Sequence, residues 1–153
     1  MRIRHILVPT DFSEGSTRAF ETALDMAVDS GAIMTLFHVQ HLSTSVFSDV
    51  ILPIAPEMMR DAERSMELVL DEWCGRAHAA GVPCDRRMAM GATHTEICNT
   101  AEEIDADLIV IGTHGRSGLS HALLGSVAEK VVRKAPCPVL TVRPEMHSTF
   151  AHP

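Results

Sequence analysis

Positive charge is scarce in this 153-residue chain, where 13 lysines and arginines stand against 20 aspartates and glutamates for a formal charge of -7. Nonspecific affinity for nucleic acid comes mainly from clustered Lys and Arg, so a nucleic-acid partner is set aside. The four cysteines, at 74, 84, 98 and 137, form no CxxC pair, and most lie in or beside apolar segments. Thiols of that kind suit a reducing compartment, and the cytoplasm is the expected location. Long apolar runs are missing as well. Behind Arg2 and Arg4 the first run extends only from Ile6 to Val8, too short for a signal peptide or a membrane span, and neither is expected.

What is there reads as a packed domain. Hydrophobic residues make up 46% and charged residues 22%, which excludes a disordered or collagenous class. A chain of this length buries enough surface without disulfides or a structural metal. One domain over 1–144 is expected, followed by a loose tail over 145–153.

Five short segments rich in β-branched and large apolar residues read as strands: 3–9, 32–39, 82–90, 107–113 and 138–144. Between them run helical patterns. Phe20, Ala23, Leu24 and Ala27 share one face, and Met59, Ala62, Met66, Val69, Trp73, Ala77 and Ala80 form a longer stripe. Thr93-x-x-Glu96 and Ser126-x-x-Glu129 read as capping boxes opening the third and fourth helices. The resulting βαβαβαβαβ order predicts an α/β fold, a single open five-stranded parallel sheet with helices on both faces. The first, second and fourth strands are almost continuously apolar, as central strands are, whereas the third carries Asp85, Arg86 and Arg87 and belongs at an edge. The predicted strand order is 3-2-1-4-5. Winding reverses between strands 1 and 4, and open α/β sheets bind ligands at that switch, beyond the carboxyl ends of the strands. The turns there are "PTDFS" and "GTHGRSG". The apolar fifth strand at the other edge predicts a homodimer contact over 138–143. Residues 40–56 are long for a connection and apolar, and are expected to form a lid or part of an interface.

Glycine lets the backbone approach an anion closely, and a helix N-terminus adds free N–H groups and a partial positive charge. Gly112 and Gly115 leave the fourth strand, while Gly125 and Ser126 open the fourth helix, so the two elements could clasp a polyphosphate. The spacing Gly112-x2-Gly115-x9-Gly125-Ser126 fits neither GxxxxGK[ST] nor GxGxxG. It does match the G-x2-G-x9-G-[ST] motif of the universal stress protein family, whose ATP-binding subgroup the chain resembles from about Met1 to Pro144. The opening "ILVPTDFS", the strand "LIVIGTHGRSG" and the ending "PCPVLTVRP" carry the same resemblance.

The resemblance implies that Pro9, Thr10 and Asp11 contact a nucleotide and that the backbone at Val39 meets adenine. It further implies that Ile111, Gly112, His114 and Gly115 follow the fourth strand into the site, and that Gly125, Ser126, Val127 and Ala128 bind phosphates. ATP is the implied ligand, and the implied assembly is a cytoplasmic dimer paired through the last strand. Plainer readings stand beside these. Each glycine could serve only a turn. Ser126 reads as the N-cap of its helix whatever else it does. Asp11 either caps the first helix or its preceding turn, or contacts Mg²⁺ or ribose. His114 either bonds a phosphate or is solvated. His38 with His41, and His94 with Cys98, lack a third metal ligand at any diagnostic spacing.

The function expected is that of a regulatory ATP-binding protein with at most slow hydrolysis, because no lysine follows the glycines and Arg116 is the nearest fixed positive charge. An adenylyl-transfer enzyme is the weaker alternative, since HIGH, SGGxDS and GxSxG are all missing. The other alternative is a dimeric interaction module with no obligatory nucleotide.

Overall fold

A computed structural model describes residues 2–40, 46–47, 50–51, 56–113 and 124–143. In chain order the elements are β1 (His5–Pro9), α1 (Glu14–Ser30), β2 (Ile33–Gln40), β3 (Val46–Phe47), β4 (Val50–Ile51), α2 (Pro56–Ala79), β5 (Cys84–Met90), α3 (Thr93–Glu103), β6 (Leu108–Gly112), α4 (Ser126–Lys134) and β7 (Val139–Val142). The main sheet is parallel throughout and runs β5-β2-β1-β6-β7. Counted among its own strands, that order is 3-2-1-4-5, as expected. Within 40–56 the chain makes a small antiparallel pair, Val46 opposite Ile51 and Phe47 opposite Val50, which the alternation of long elements did not predict.

Side chains alternate across a strand, so each central strand feeds two cores. Ile6, Val8, Leu36, Leu108 and Val110 join Phe20, Leu70 and Trp73 under α1 and α2. Leu7, Phe37, Val39, Ile109 and Ile111 join Ile97 and Val131 under α3 and α4. Each fully buried large side chain contributes roughly 1.5–3 kcal/mol relative to leaving it in water. Helices therefore cover both faces, and the turns between them and the strands gather at the two ends of the sheet.

Ser13 caps α1 by accepting the Ser16 N–H, and Gly31, in the left-handed region at φ 70°, ends it by donating to the Ala27 carbonyl. The stripe expected along α2 is buried only in its C-terminal half. Met59 and Ala62 are exposed, while Leu70, Trp73, Cys74 and Ala77 are buried. At 1.5 Å per residue the 24-residue helix is roughly 36 Å long, against about 23 Å for the seven-residue strand β5 beside it, so its first turns overhang the sheet.

Neither capping box forms as expected. Ala92 is the N-cap of α3 and Gly125 that of α4, with no side-chain cap bond at either. Thr93 and Ser126 are already the first helical residues, a position from which a hydroxyl no longer sits beneath the free N–H groups of the turn. The Glu96 carboxylate instead folds back onto Gly91, whose φ of 153° no β-carbon would share comfortably. No helix among the described residues is long and apolar enough to cross a membrane.

At the amino end of the sheet, Asp107 ties β6 to β1. Its carboxylate accepts the Arg4 and His5 N–H groups at 2.8 and 3.0 Å, which holds its pKa below the ordinary value. A carboxyl lowered on folding stabilises above its unfolded pKa and loses that contribution as pH falls through the folded one. Asp107→Asn should therefore melt below the wild type at neutral pH, and the gap should close as pH falls from the ordinary aspartate value of about 3.9 downward. Melting curves of the two proteins across that range test it, and a gap that persists in acid would deny the carboxylate its role.

Candidate functional site

Strands β1 and β6 are neighbours whose connections leave in opposite directions, which makes the space beyond their carboxyl ends the switch point where open α/β sheets hold ligands in a crevice. The turn after β1 forms one side of it. Thr10 is buried and fully engaged: its N–H donates to the Phe37 carbonyl at 2.8 Å, its hydroxyl donates to Ser16 Oγ at 3.1 Å and accepts the Phe12 N–H at 3.0 Å. Its carbonyl accepts from His38 Nδ1 at 2.8 Å. Asp11 Oδ1 accepts the Ser13 N–H at 3.0 Å, so the turn-capping role weighed for Asp11 is present. Among the described residues no three His, Cys, Asp or Glu side chains gather as a metal site.

Phe12 takes a φ of 61°, the left-handed region that a bulky residue rarely enters. Aromatic packing holds it there, with ring centroids 4.9 Å from His38 and 5.8 Å from Trp73, the latter edge-on. Such strain persists only where surroundings over-determine it, and it marks functional turns. His38, weighed as a metal ligand from its H-x2-H spacing, thus braces this turn by one hydrogen bond and one ring contact; His41 lies outside the described residues.

Strand β2 runs three residues past the end of β1, whose pairing stops at Pro9 opposite Phe37. The Phe37 carbonyl points toward β1, since it accepts from Thr10. Main-chain direction alternates along a strand, so the N–H and C=O of Val39 point the same way, over the step where β1 has ended. Gln40 points to the other side, where its carbonyl accepts the Gly91 N–H.

The far side of the cleft is built from β6 and α4. Ile111 is buried on the α3 and α4 face, and Gly112 closes the strand. A β-carbon at Gly112 would lie 2.6 Å from the Gly15 carbonyl carbon, 2.7 Å from its oxygen and 3.0 Å from the Ser16 nitrogen. Gly112 is thus the seat on which the first turn of α1 rests, a role distinct from the anion contact its motif suggested. Thr113 follows, almost fully buried, and donates its N–H to the Val142 carbonyl at 2.8 Å. Its own carbonyl accepts the Gly125 N–H.

That last bond fastens the N-terminus of α4 to the end of β6. Gly125, with φ -67° and ψ 155°, is the N-cap; Ser126 is exposed, Val127 half-buried and Ala128 buried. Their N–H groups open the helix, where the peptide dipoles present partial positive charge, and the cap residue Gly125 has no side chain to bond them. The structure therefore brings Pro9, Thr10, Asp11, Val39, Ile111, Gly112, Gly125, Ser126, Val127 and Ala128 to one end of the sheet. His114 and Gly115 lie outside the described residues. The sequence reading missed Phe12, His38 as a brace, and Thr113 as the anchor; the small pair Gly15-Ser16 in the first turn of α1 was the available signal for the close approach at Gly112.

Residues 2–143 match the model of the universal stress protein family. Universal stress protein MJ0531 of Methanocaldococcus jannaschii is 34% identical over 146 residues, covering 92% of this chain and 82% of that protein. Among solved structures, a universal stress protein in complex with cAMP superposes with a TM-score of 0.69 at 29% identity, over 95% of this chain and 100% of that one. The Arabidopsis thaliana family protein At3g01520 with AMP bound gives 0.64 at 26% identity, over 97% and 96%.

Proposed function

Because this chain belongs to the universal stress protein family, we propose that it binds an adenine nucleotide, ATP with Mg²⁺, in the cleft between the turn after β1 and the N-terminus of α4, and that it acts as a regulatory protein with at most slow hydrolysis. The observation that carries this reading is the Gly125–Thr113 hydrogen bond, which holds a helix N-terminus with a glycine cap against the carboxyl end of β6 at the switch point. An anion at that end makes the bonds that a glycine cap leaves to other groups.

In this reading the phosphates lie on the N–H groups of Ser126, Val127 and Ala128; Gly115 and His114, named by the same motif, lie outside the described residues. Adenine takes the main-chain N–H and C=O of Val39 on the step beyond β1, and Pro9, Thr10 and Asp11 border the ribose. Thr10 shapes the turn, since its hydroxyl is already engaged. Mg²⁺ commonly binds through one or two carboxylates together with substrate phosphates, which Asp11 fits as a lone carboxylate beside the triphosphate. The ion would shield the phosphate charge from Asp11. The relatives solved with cAMP and AMP support an adenine site in this fold. Copies of the chain pair through the open edge of β7, whose four residues are all half-buried in the single chain, and the protein works in the cytoplasm.

A thermal-shift series with MgATP, ATP alone, ADP, AMP, cAMP and NAD tests the reading, together with mass spectrometry of nucleotide released from the denatured protein. Ligand at 100 times its Kd adds about 2.7 kcal/mol of stability, a shift of several degrees. MgATP should give the largest shift. A larger shift with AMP or cAMP would move the ligand assignment to those nucleotides, and no shift with any of them would leave a dimeric module with no nucleotide role.

A further inference from the structure

The sequence gives Cys74 and Cys84 no motif, yet the fold puts their sulfurs 3.2 Å apart. Cys74 lies in the last turns of α2 and Cys84 opens β5, on the far side of the tight reversal through Gly81 at φ 80°. Two sulfurs at that distance share a proton, and an approach of about 1 Å brings them to the roughly 2.0 Å of a disulfide. We infer that Cys74 and Cys84 form a dithiol that a hydroperoxide oxidises to a disulfide, locking α2 to the edge strand β5.

The thiols are differentiated for the two halves of that reaction. The two thiols share one hydrogen bond, which lowers the Cys74 pKa, while that bond and burial push Cys84 up. Burial, Asp71 and Asp85 oppose the Cys74 thiolate, and the Arg86 guanidinium favours it. The thiolate is the reactive form, so Cys74 is the attacking sulfur and Cys84 the resolving one. Cys74 displaces hydroxide from the peroxide O–O bond and becomes a sulfenic acid. Cys84 gives up its proton, its sulfur attacks the sulfenic sulfur, the S–S bond forms and water leaves. In sum two thiols and one hydroperoxide give one disulfide and two waters when the oxidant is hydrogen peroxide, both electrons passing from sulfur to the O–O bond. A dithiol reverses the step by exchange.

Access fits the chemistry. Cys74 is 7% exposed, but Cys84 is only partly buried and stands at the sheet edge, so a small oxidant reaches the pair from that side. This edge is opposite β7, and copies pairing through β7 leave it open. Cys98 and Cys137, whose thiols burial pushes up, serve as internal references.

The test treats the full-length reduced protein with hydrogen peroxide, quenches with catalase, alkylates remaining thiols and measures intact mass and digested peptides. The expected result is a loss of about 2 Da, reversed by dithiothreitol, with one cross-linked peptide joining Cys74 to Cys84. A protein carrying both C98S and C137S should behave identically, whereas C84S should stop at a sulfenic acid on Cys74 that dimedone traps. Wild-type protein that keeps four alkylatable thiols, or that oxidises Cys98 or Cys137 first, would overturn the proposal, and that arm does not depend on any variant folding.

Discussion

Gly125→Asp should melt slightly above the wild type without ligand, and lose the stabilisation by MgATP. The two effects have opposite signs because one position serves two purposes. Gly125 is the N-cap of α4, and its φ of -67° with ψ of 155° is extended backbone that any residue adopts, so aspartate enters without strain. An aspartate at the N-cap accepts a first-turn N–H and complements the helix dipole, together worth about 0.5–1 kcal/mol, or a few degrees in a domain of this size. The same carboxylate then fills the donors that a phosphate would use and sets like charge against it. An affinity loss of at least about 100-fold is expected, equivalent to roughly 2.7 kcal/mol. Paired melting curves with and without MgATP measure both quantities. A variant that is stabilised and still binds nucleotide would show that the phosphates lie elsewhere; one that is destabilised without ligand would show that the N-cap position is misjudged.

Gly112→Ala should destabilise the whole domain by about 3 kcal/mol, near the upper end for inserting one methyl into a packed interior. The magnitude follows from what the methyl meets. Its neighbours at 2.6, 2.7 and 3.0 Å are the carbonyl carbon and oxygen of Gly15 and the nitrogen of Ser16, all main-chain atoms that cannot rotate aside. Relief requires α1 to lift from β6, and α1 also carries Ser16, which bonds Thr10 in the turn after β1. Chemical denaturation at equal slope should show the loss as a shifted midpoint, and nucleotide affinity should fall with it. If stability is unchanged, the helix has room to move and Gly112 is needed only for ligand.

The architecture was legible because strand burial is written in composition. Near-continuous apolar runs marked β1, β2 and β6 as central, the charges of 85–87 placed β5 outside, and the switch point followed from the order. Finer placement was harder to read. A capping pattern can slide by one residue without changing its letters, and both boxes did so, leaving Ala92 and Gly125 as the caps. The close approach of Gly112 to Gly15 was as hard to read, because a contact between residues distant in sequence leaves no local trace beyond the smallness of both. His38 and the Cys74–Cys84 pair were similarly opaque: their partners come from neighbouring elements whose spacing is set by packing, which no short motif encodes. The exposed first half of α2 carried a regular apolar period, yet periodicity says only which face is apolar, and not how far the sheet extends beneath it.

The edge-on contact between Phe12 and Trp73 has an optical consequence. Trp73 is the sole tryptophan and the chain has no tyrosine, so near-ultraviolet emission comes from a single indole that touches the strained turn after β1. Rearrangement of that turn alters the ring environment of its one fluorophore, and the wild-type protein, with no label attached, reports the state of its own cleft.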